Sequence, residues 1–188
     1  MTENFIKLKN LNWLFIFLVS FLCFVGLIMI YSATIGEESK IFISHIYKIL
    51  FGFFLMILVS IIDLEFWKRN AYFFYLIGLI LLIWVFFYGY LGKGARRWIN
   101  FLGLNFQPSE IMKIFLIITL AKFFDEKKIR EPRDYLFLIL LVILVTIPFA
   151  LILIQPDLGT AMLILFVSIV IFFVSGINWK FFFFSGLV

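Results

Sequence analysis

The sequence predicts an all-α fold, a polytopic bundle of about six membrane-spanning helices plus the start of a seventh. Three observations carry that expectation. Hydrophobic residues make up 65% of the 188-residue chain and charged residues only 14%, whereas globular domains run near half apolar and a quarter charged. The apolar residues fall into runs of the length that crosses a bilayer, roughly 20 residues. The charges collect in the short stretches between those runs. A soluble core of this size could not bury so much apolar surface, and a mean hydropathy of +1.16 points the same way. The 28 phenylalanines suit lipid contact, where bulky apolar side chains substitute freely. Residues 1–188 read as a single membrane domain.

The spans follow in order. The first runs over about Leu11–Tyr31, too long for the apolar core of a signal peptide and with no small-residue cleavage site after it. The second covers Ile46–Ile62, the third Ala71–Leu91 and the fourth, which is short, Pro108–Phe124. The fifth covers Tyr135–Ile154 and the sixth Leu158–Ser175. A last apolar run, Phe181–Val188, is too short to span and reads as the start of a seventh helix.

Lysines and arginines in short loops orient such a bundle, being retained on the cytoplasmic side. With the N-terminus inside, the inner side carries ten: Lys7, Lys9, Lys68, Arg69, Lys122, Lys127, Lys128, Arg130, Arg133 and Lys180. The outer side carries four, Lys40, Lys93, Arg96 and Arg97. The expected arrangement is therefore a multi-pass membrane protein with a cytoplasmic N-terminus. The net charge of +5 is explained by these loops and not by nucleic acid. A lone cysteine, Cys23, excludes a disulfide framework and a thiolate metal site, and a lone histidine, His45, excludes a histidine metal site. His45 and Lys48 read as interfacial. The turns Asp63–Arg69 and Asp125–Asp134 read as solvated.

Three of the four outer charges crowd into Gly92-Lys93-Gly94-Ala95-Arg96-Arg97-Trp98. That loop runs against the rule that orients the rest, which marks it as a candidate site. Two outer junctions echo each other. Gln107-Pro108-Ser109-Glu110 opens the fourth span, and Gln155-Pro156-Asp157-Leu158-Gly159-Thr160 opens the sixth. Proline suits a first helical position, and an acid there suits the positive end of the helix dipole. Good helix-start chemistry explains both junctions. A second reading adds that free N–H groups at helix starts attract phosphate. With Lys93, Arg96 and Arg97 on the same side they would form a basic pocket at headgroup level. Glu110 and Lys113 share a helix face, and a lysine one turn into a span is a functional candidate by default. Asp157 could cap a helix, pair with an arginine or, with Glu110, hold a divalent cation such as Mg or Mn; no cofactor is certain.

These residues carry a resemblance. Gly94-Ala95-Arg96-Arg97-Trp98-Ile99, Gln107-Pro108-Ser109-Glu110-Ile111-Met112-Lys113 and Gln155-Pro156-Asp157-Leu158-Gly159-Thr160 occur in order and resemble the SEDS family, the RodA, FtsW and SpoVE proteins. Tyr31-Ser32-Ala33 and Ile62-Asp63 also fit. The Ala95–Trp98 context and the short N-terminal tail resemble RodA more than FtsW.

The resemblance implies a peptidoglycan glycosyltransferase of cell-wall elongation that polymerises lipid II, an undecaprenyl-pyrophosphate-linked disaccharide peptide. A class B penicillin-binding protein would be its partner and the membrane lipid its surroundings. It implies substrate contacts at Lys93, Arg96, Arg97, Trp98, Gln107, Ser109, Glu110, Lys113, Gln155, Asp157, Gly159 and Thr160. It places the family's catalytic aspartate beyond Val188, so this chain would be the N-terminal portion. A lipid II flippase and a non-catalytic scaffold are the rival functions. Flipping needs polar residues deep in the bundle, and the sequence offers few there.

Overall fold

The computed structural model describes residues 12–34, 40–92, 95–101, 104–126 and 135–176. Lys93, the stretch 127–134 and the run Phe181–Val188 lie outside the described residues. The described chain forms helices α1 (Trp13–Ala33), α2 (Lys40–Ile61), α3 (Leu64–Arg69) and α4 (Ala71–Tyr88). Strands β1 (Tyr90–Gly92), β2 (Ala95–Phe101) and β3 (Leu104–Phe106) follow, and then helices α5 (Pro108–Glu126), α6 (Tyr135–Ile154) and α7 (Leu158–Val174). Each of the six expected spans coincides with one helix. α1, α2 and α4 are long and apolar enough to cross a membrane, and α6 and α7 contain shorter apolar helices, Ile139–Ile154 and Leu158–Val174. α5 is more polar because it carries Glu110, Lys113, Lys122, Asp125 and Glu126. α2 begins at Lys40, earlier than the expected Ile46, so His45 and Lys48 lie within it.

The chain divides into two units, residues 1–64 and 65–188. In the first, Asn12 caps α1, its side-chain oxygen accepting from the Phe15 N–H at 3.2 Å. No residue of α1 is buried, and a helix apolar all round belongs in an apolar medium. Tyr31 meets Phe42 edge-on, ring centroids 5.4 Å apart.

The second unit holds the core. Leu82 of α4, Met112, Leu116 and Leu120 of α5, Leu141 and Val145 of α6, and Ile164 of α7 are all buried in one cluster. Gly78 lets α4 and α5 approach closely: a Cβ there would come within 2.5 Å of Met112 Sδ and 3.2 Å of a Phe115 ring carbon. Phe123 stacks on Phe137 at 4.9 Å, joining α5 to α6.

Polar groups inside this apolar cluster are matched. A proline within a helix removes the N–H that would bond the carbonyl four residues back. Pro148 lies inside α6, and the carbonyl it frees, that of Leu144, accepts from Tyr75 Oη of α4 at 2.9 Å. Such rescue by a neighbouring helix is what makes proline tolerable in a low-dielectric bundle. The Thr119 hydroxyl lies 3.1 Å from the Ala71 carbonyl, bridging α5 to α4.

At one end of this unit, α3 is ion-paired to α5 and is not merely solvated. Lys68 Nζ sits 2.7 Å from Asp125 Oδ2, and that hydrogen bond raises the Lys68 pKa above its ordinary value. Lys122 Nζ donates to the Arg69 carbonyl at 3.1 Å and lies over the Tyr72 ring at 4.7 Å. Tyr72 Oη in turn donates to Glu126 at 2.9 Å.

At the other end, the loop expected between the third and fourth spans is a three-stranded antiparallel sheet in the order β1-β2-β3. Gly89 is the C-cap of α4 ahead of it, a position where a side chain would clash with the Val85 carbonyl oxygen. Tyr90 pairs with Trp98, Leu91 with Arg96 and Gly92 with Ala95. Arg97 is therefore an extra residue, and the register shifts between Tyr90 and Leu91.

Removing the Tyr75 hydroxyl tests the rescue of the Leu144 carbonyl. Tyr75→Phe should destabilise the purified protein by about 1 kcal/mol, the scale of an interhelical hydrogen bond in a membrane, as read by denaturant unfolding in detergent. Unchanged stability would mean that Leu144 needs no donor from α4.

Candidate functional site

The site is built where β2 meets the starts of α5 and α7. Asp157 is the N-cap of α7, as the sequence suggested. Its carboxylate accepts from the Thr160 N–H at 3.3 Å and the Thr160 hydroxyl at 2.9 Å. A capping carboxylate satisfies an orphan N–H of the first turn and complements the dipole. Pro108 occupies the first position of α5. Pro156 does not do so in α7, which starts at Leu158; Asp157 takes the cap, so Pro156 stays in the turn ahead of it.

Two further segments converge on Asp157. Gln107, just ahead of α5, donates from Nε2 to Asp157 Oδ2 at 2.9 Å. Arg97 of β2 places Nη1 3.9 Å from Asp157 Oδ1. Its Nε donates to the Gln155 carbonyl at 2.9 Å, and its Nη2 donates to the Pro156 carbonyl. Gln155 is 4% exposed and donates from Nε2 to the Leu82 carbonyl inside α4 at 3.0 Å. Arg97, Gln107, Gln155, Asp157 and Thr160 thus form one connected polar cluster, drawn from β2, the residue ahead of α5, the α6–α7 turn and the first turn of α7, and tied to α4.

Arg96 goes elsewhere. Its Nη1 donates to the Phe87 carbonyl at the end of α4 at 2.8 Å, a cation at a helix C-terminus, while the residue as a whole stays exposed. Trp98 is half-buried on β2. Ser109 is buried in the first turn of α5. Gly159, in the first turn of α7, has open space where a side chain would be. Glu110 and Lys113 pair at 2.8 Å on α5, with side chains 57% and 23% exposed. They bond to each other and not to Asp157.

Two sequence expectations meet this geometry directly. At the start of α7 the Thr160 N–H is taken by the chain's own Asp157 carboxylate, so that N–H is not open to a phosphate. A divalent cation at Asp157 and Glu110 does not fit the donors present. Among the described residues no three His, Cys, Asp or Glu side chains gather as a metal site, and the Asp157 oxygens already face Thr160, Gln107 and Arg97.

Every motif lies within residues matched by one family, described as a cell cycle protein and designated FtsW, RodA and SpoVE, over residues 12–188. The chain belongs to the FtsW/RodA/SpoVE family. It is similar to the probable peptidoglycan glycosyltransferase FtsW of Buchnera aphidicola, 34% identical over 89% of this chain and 43% of that protein. It is also similar to the peptidoglycan glycosyltransferase MrdB of Escherichia coli, 30% identical over 81% of this chain and 42% of that one.

The crystal structure of the Thermus thermophilus rod shape determining protein RodA matches with a TM-score of 0.81 and 30% identity, over 94% of this chain and 57% of that one. A chain of a peptidoglycan synthase complex, described for its structural coordination of polymerization and crosslinking, matches with a TM-score of 0.79 at 27% identity. The chain thus spans about half the length of the relatives it matches. FtsW and RodA types both appear among them.

The sheet and its extra residue were not anticipated, although a signal existed. Trp98-Ile99-Asn100-Phe101 and Leu104-Asn105-Phe106 are rich in strand formers and separated by two residues that include Gly103, a hairpin pattern. The Leu82 and Phe87 acceptors are backbone carbonyls, for which no residue type gives a signal.

Proposed function

We propose that this chain is part of a peptidoglycan glycosyltransferase that polymerises lipid II into glycan strands for cell-wall elongation. The observation that carries the proposal is the convergence of the three motif segments, through Arg97, Gln107 and Asp157, at one end of the bundle. The relatives' names support the reaction class. In the reaction, the acceptor sugar hydroxyl attacks the anomeric carbon of the donor, and undecaprenyl pyrophosphate leaves with the glycosidic electron pair. This end would serve the leaving group. Arg96, exposed and held at the end of α4, with Lys93 close in sequence, would stabilise the charge that develops on pyrophosphate. Lys113 and Glu110, paired on α5, would border the leaving-group site. The general base would come from the half of the relatives' length that this chain does not cover.

The same reading places the site outside the cell, with the N-terminus in the cytoplasm of a bacterium whose inner membrane holds the bundle. The motive is the ten-against-four distribution of basic residues. A class B penicillin-binding protein would be the partner, in keeping with the synthase complex among the structural neighbours. The rival scaffold reading would tolerate loss of the cation at Arg96, and the rival flippase reading would need polar residues deep in the bundle.

Topology is checked with an impermeant thiol reagent on intact cells, after replacing Cys23. Asn100→Cys should be labelled and Lys128→Cys protected; the reverse pattern would invert the orientation and remove the extracellular reaction.

Chemistry is checked in the intact protein that carries this segment. Arg96→Ala should slow lipid II polymerisation on the order of 100-fold, the cost of about 2–4 kcal/mol of transition-state stabilisation, and leave membrane insertion unchanged. Wild-type rates in Arg96→Ala would contradict the leaving-group assignment.

A further inference from the structure

Arg96 and Arg97 are adjacent in β2, yet they reach different parts of the protein. In a regular strand they would face opposite sides of the sheet. The shift of register puts one extra residue on β2, and a bulge of this kind re-aims the side chains beside it. Arg96 reaches the Phe87 carbonyl at the end of α4. Arg97 reaches the turn between α6 and α7, where all three of its guanidinium nitrogens face acceptors of its own chain: the Gln155 carbonyl, the Pro156 carbonyl and the Asp157 carboxylate.

An arginine that holds a substrate anion must present its fork to the ligand. Arg97 presents its fork to the protein and is only 30% exposed. The turn it grips is itself fixed from behind, because Gln155 donates into α4 at Leu82. Releasing Arg97 would leave two backbone carbonyls without their donor and the Asp157 carboxylate without its nearby cation. It would also remove the tether that ties the strand carrying Arg96 to the α6–α7 turn.

We propose that Arg97 is a positioning residue that seats the bulged strand on the α6–α7 turn and thereby fixes where Arg96 stands, rather than a ligand for the substrate's pyrophosphate. The inference rests on the reading of this end as the leaving-group site. A planar fork with several donors suits three acceptors set around one turn; an ammonium is a point charge and cannot span them.

Hydrogen–deuterium exchange of the 188-residue chain in lipid nanodiscs tests the proposal without any activity. Arg97→Ala should raise exchange in 95–101 and in 155–161 together by about tenfold or more, as expected when a local unit loses its anchor, and leave α1 and α2 unchanged. Arg97→Lys should loosen the same two segments less. It also keeps the test decisive if the alanine variant fails to fold. In the intact protein, Arg97→Ala should lower kcat for lipid II polymerisation with KM unchanged.

Wild-type exchange in both segments for the folded variants would overturn the proposal. So would a raised KM with unaltered kcat, the result expected of a substrate ligand. If the wild-type protein does not polymerise lipid II, the leaving-group reading fails while the exchange data still decide whether Arg97 seats the strand.

Discussion

A carboxylate set at the edge of an apolar bundle must find donors for both oxygens, because an unpaired charge there is costly. Asp157 finds three hydrogen-bond donors and one guanidinium: the N–H and hydroxyl of Thr160, the Gln107 amide and Arg97. Each comes from a part of the chain that must be in place. Thr160 is there only if α7 has formed, Gln107 only if α5 starts at Pro108, and Arg97 only if β2 carries its extra residue. The need of one side chain for partners therefore couples two helix starts and a strand, and it gives this end of the second unit a defined shape.

The same rule, that buried polar groups be matched, runs through the rest of the unit. Pro148 frees the Leu144 carbonyl and Tyr75 takes it. Gln155 is almost wholly buried and its amide finds Leu82. Among the described residues, no buried side-chain nitrogen or oxygen lacks a partner. At the α3 end, Lys68, Lys122, Asp125, Glu126 and Tyr72 largely satisfy one another, which reads as a staple between α3, α4 and α5. At the sheet end, Arg96 keeps an exposed guanidinium beside a cluster that is otherwise closed.

Much of this was legible in the sequence because the signals were chemical and local. Apolar runs of bilayer length located the six long helices among the described residues. A cap was one of three uses that the residue type of Asp157 and its place before Leu158-Gly159-Thr160 offered, beside an arginine partner and a cation ligand. The Glu110–Lys113 pair followed from helical spacing. What was not legible depends on register and on backbone atoms. One extra residue in β2 decides which way Arg97 points, and no composition encodes it. The acceptors at Leu82, Phe87, Gln155 and Pro156 are carbonyls, identical in every residue. The Lys68–Asp125 bridge joins residues far apart in sequence, so two stretches that read as solvated turns prove to be tied together. Arg97 looked like an anion ligand on charge alone, and only its geometry separates it from Arg96.

The central claim is that Asp157 holds the starts of α5 and α7 together. A double-mutant cycle on Gln107 and Asp157 tests it most directly, because their contact is a single side-chain hydrogen bond of 2.9 Å. Stabilities of the wild type, Gln107→Ala, Asp157→Ala and the double variant would be measured by denaturant unfolding in one detergent. The account predicts a coupling energy of about 1–2 kcal/mol, the range for a hydrogen bond to a partly buried charge between residues in contact. Additive losses, agreeing to within about 0.5 kcal/mol, would contradict it and leave the two helix starts independent of one another.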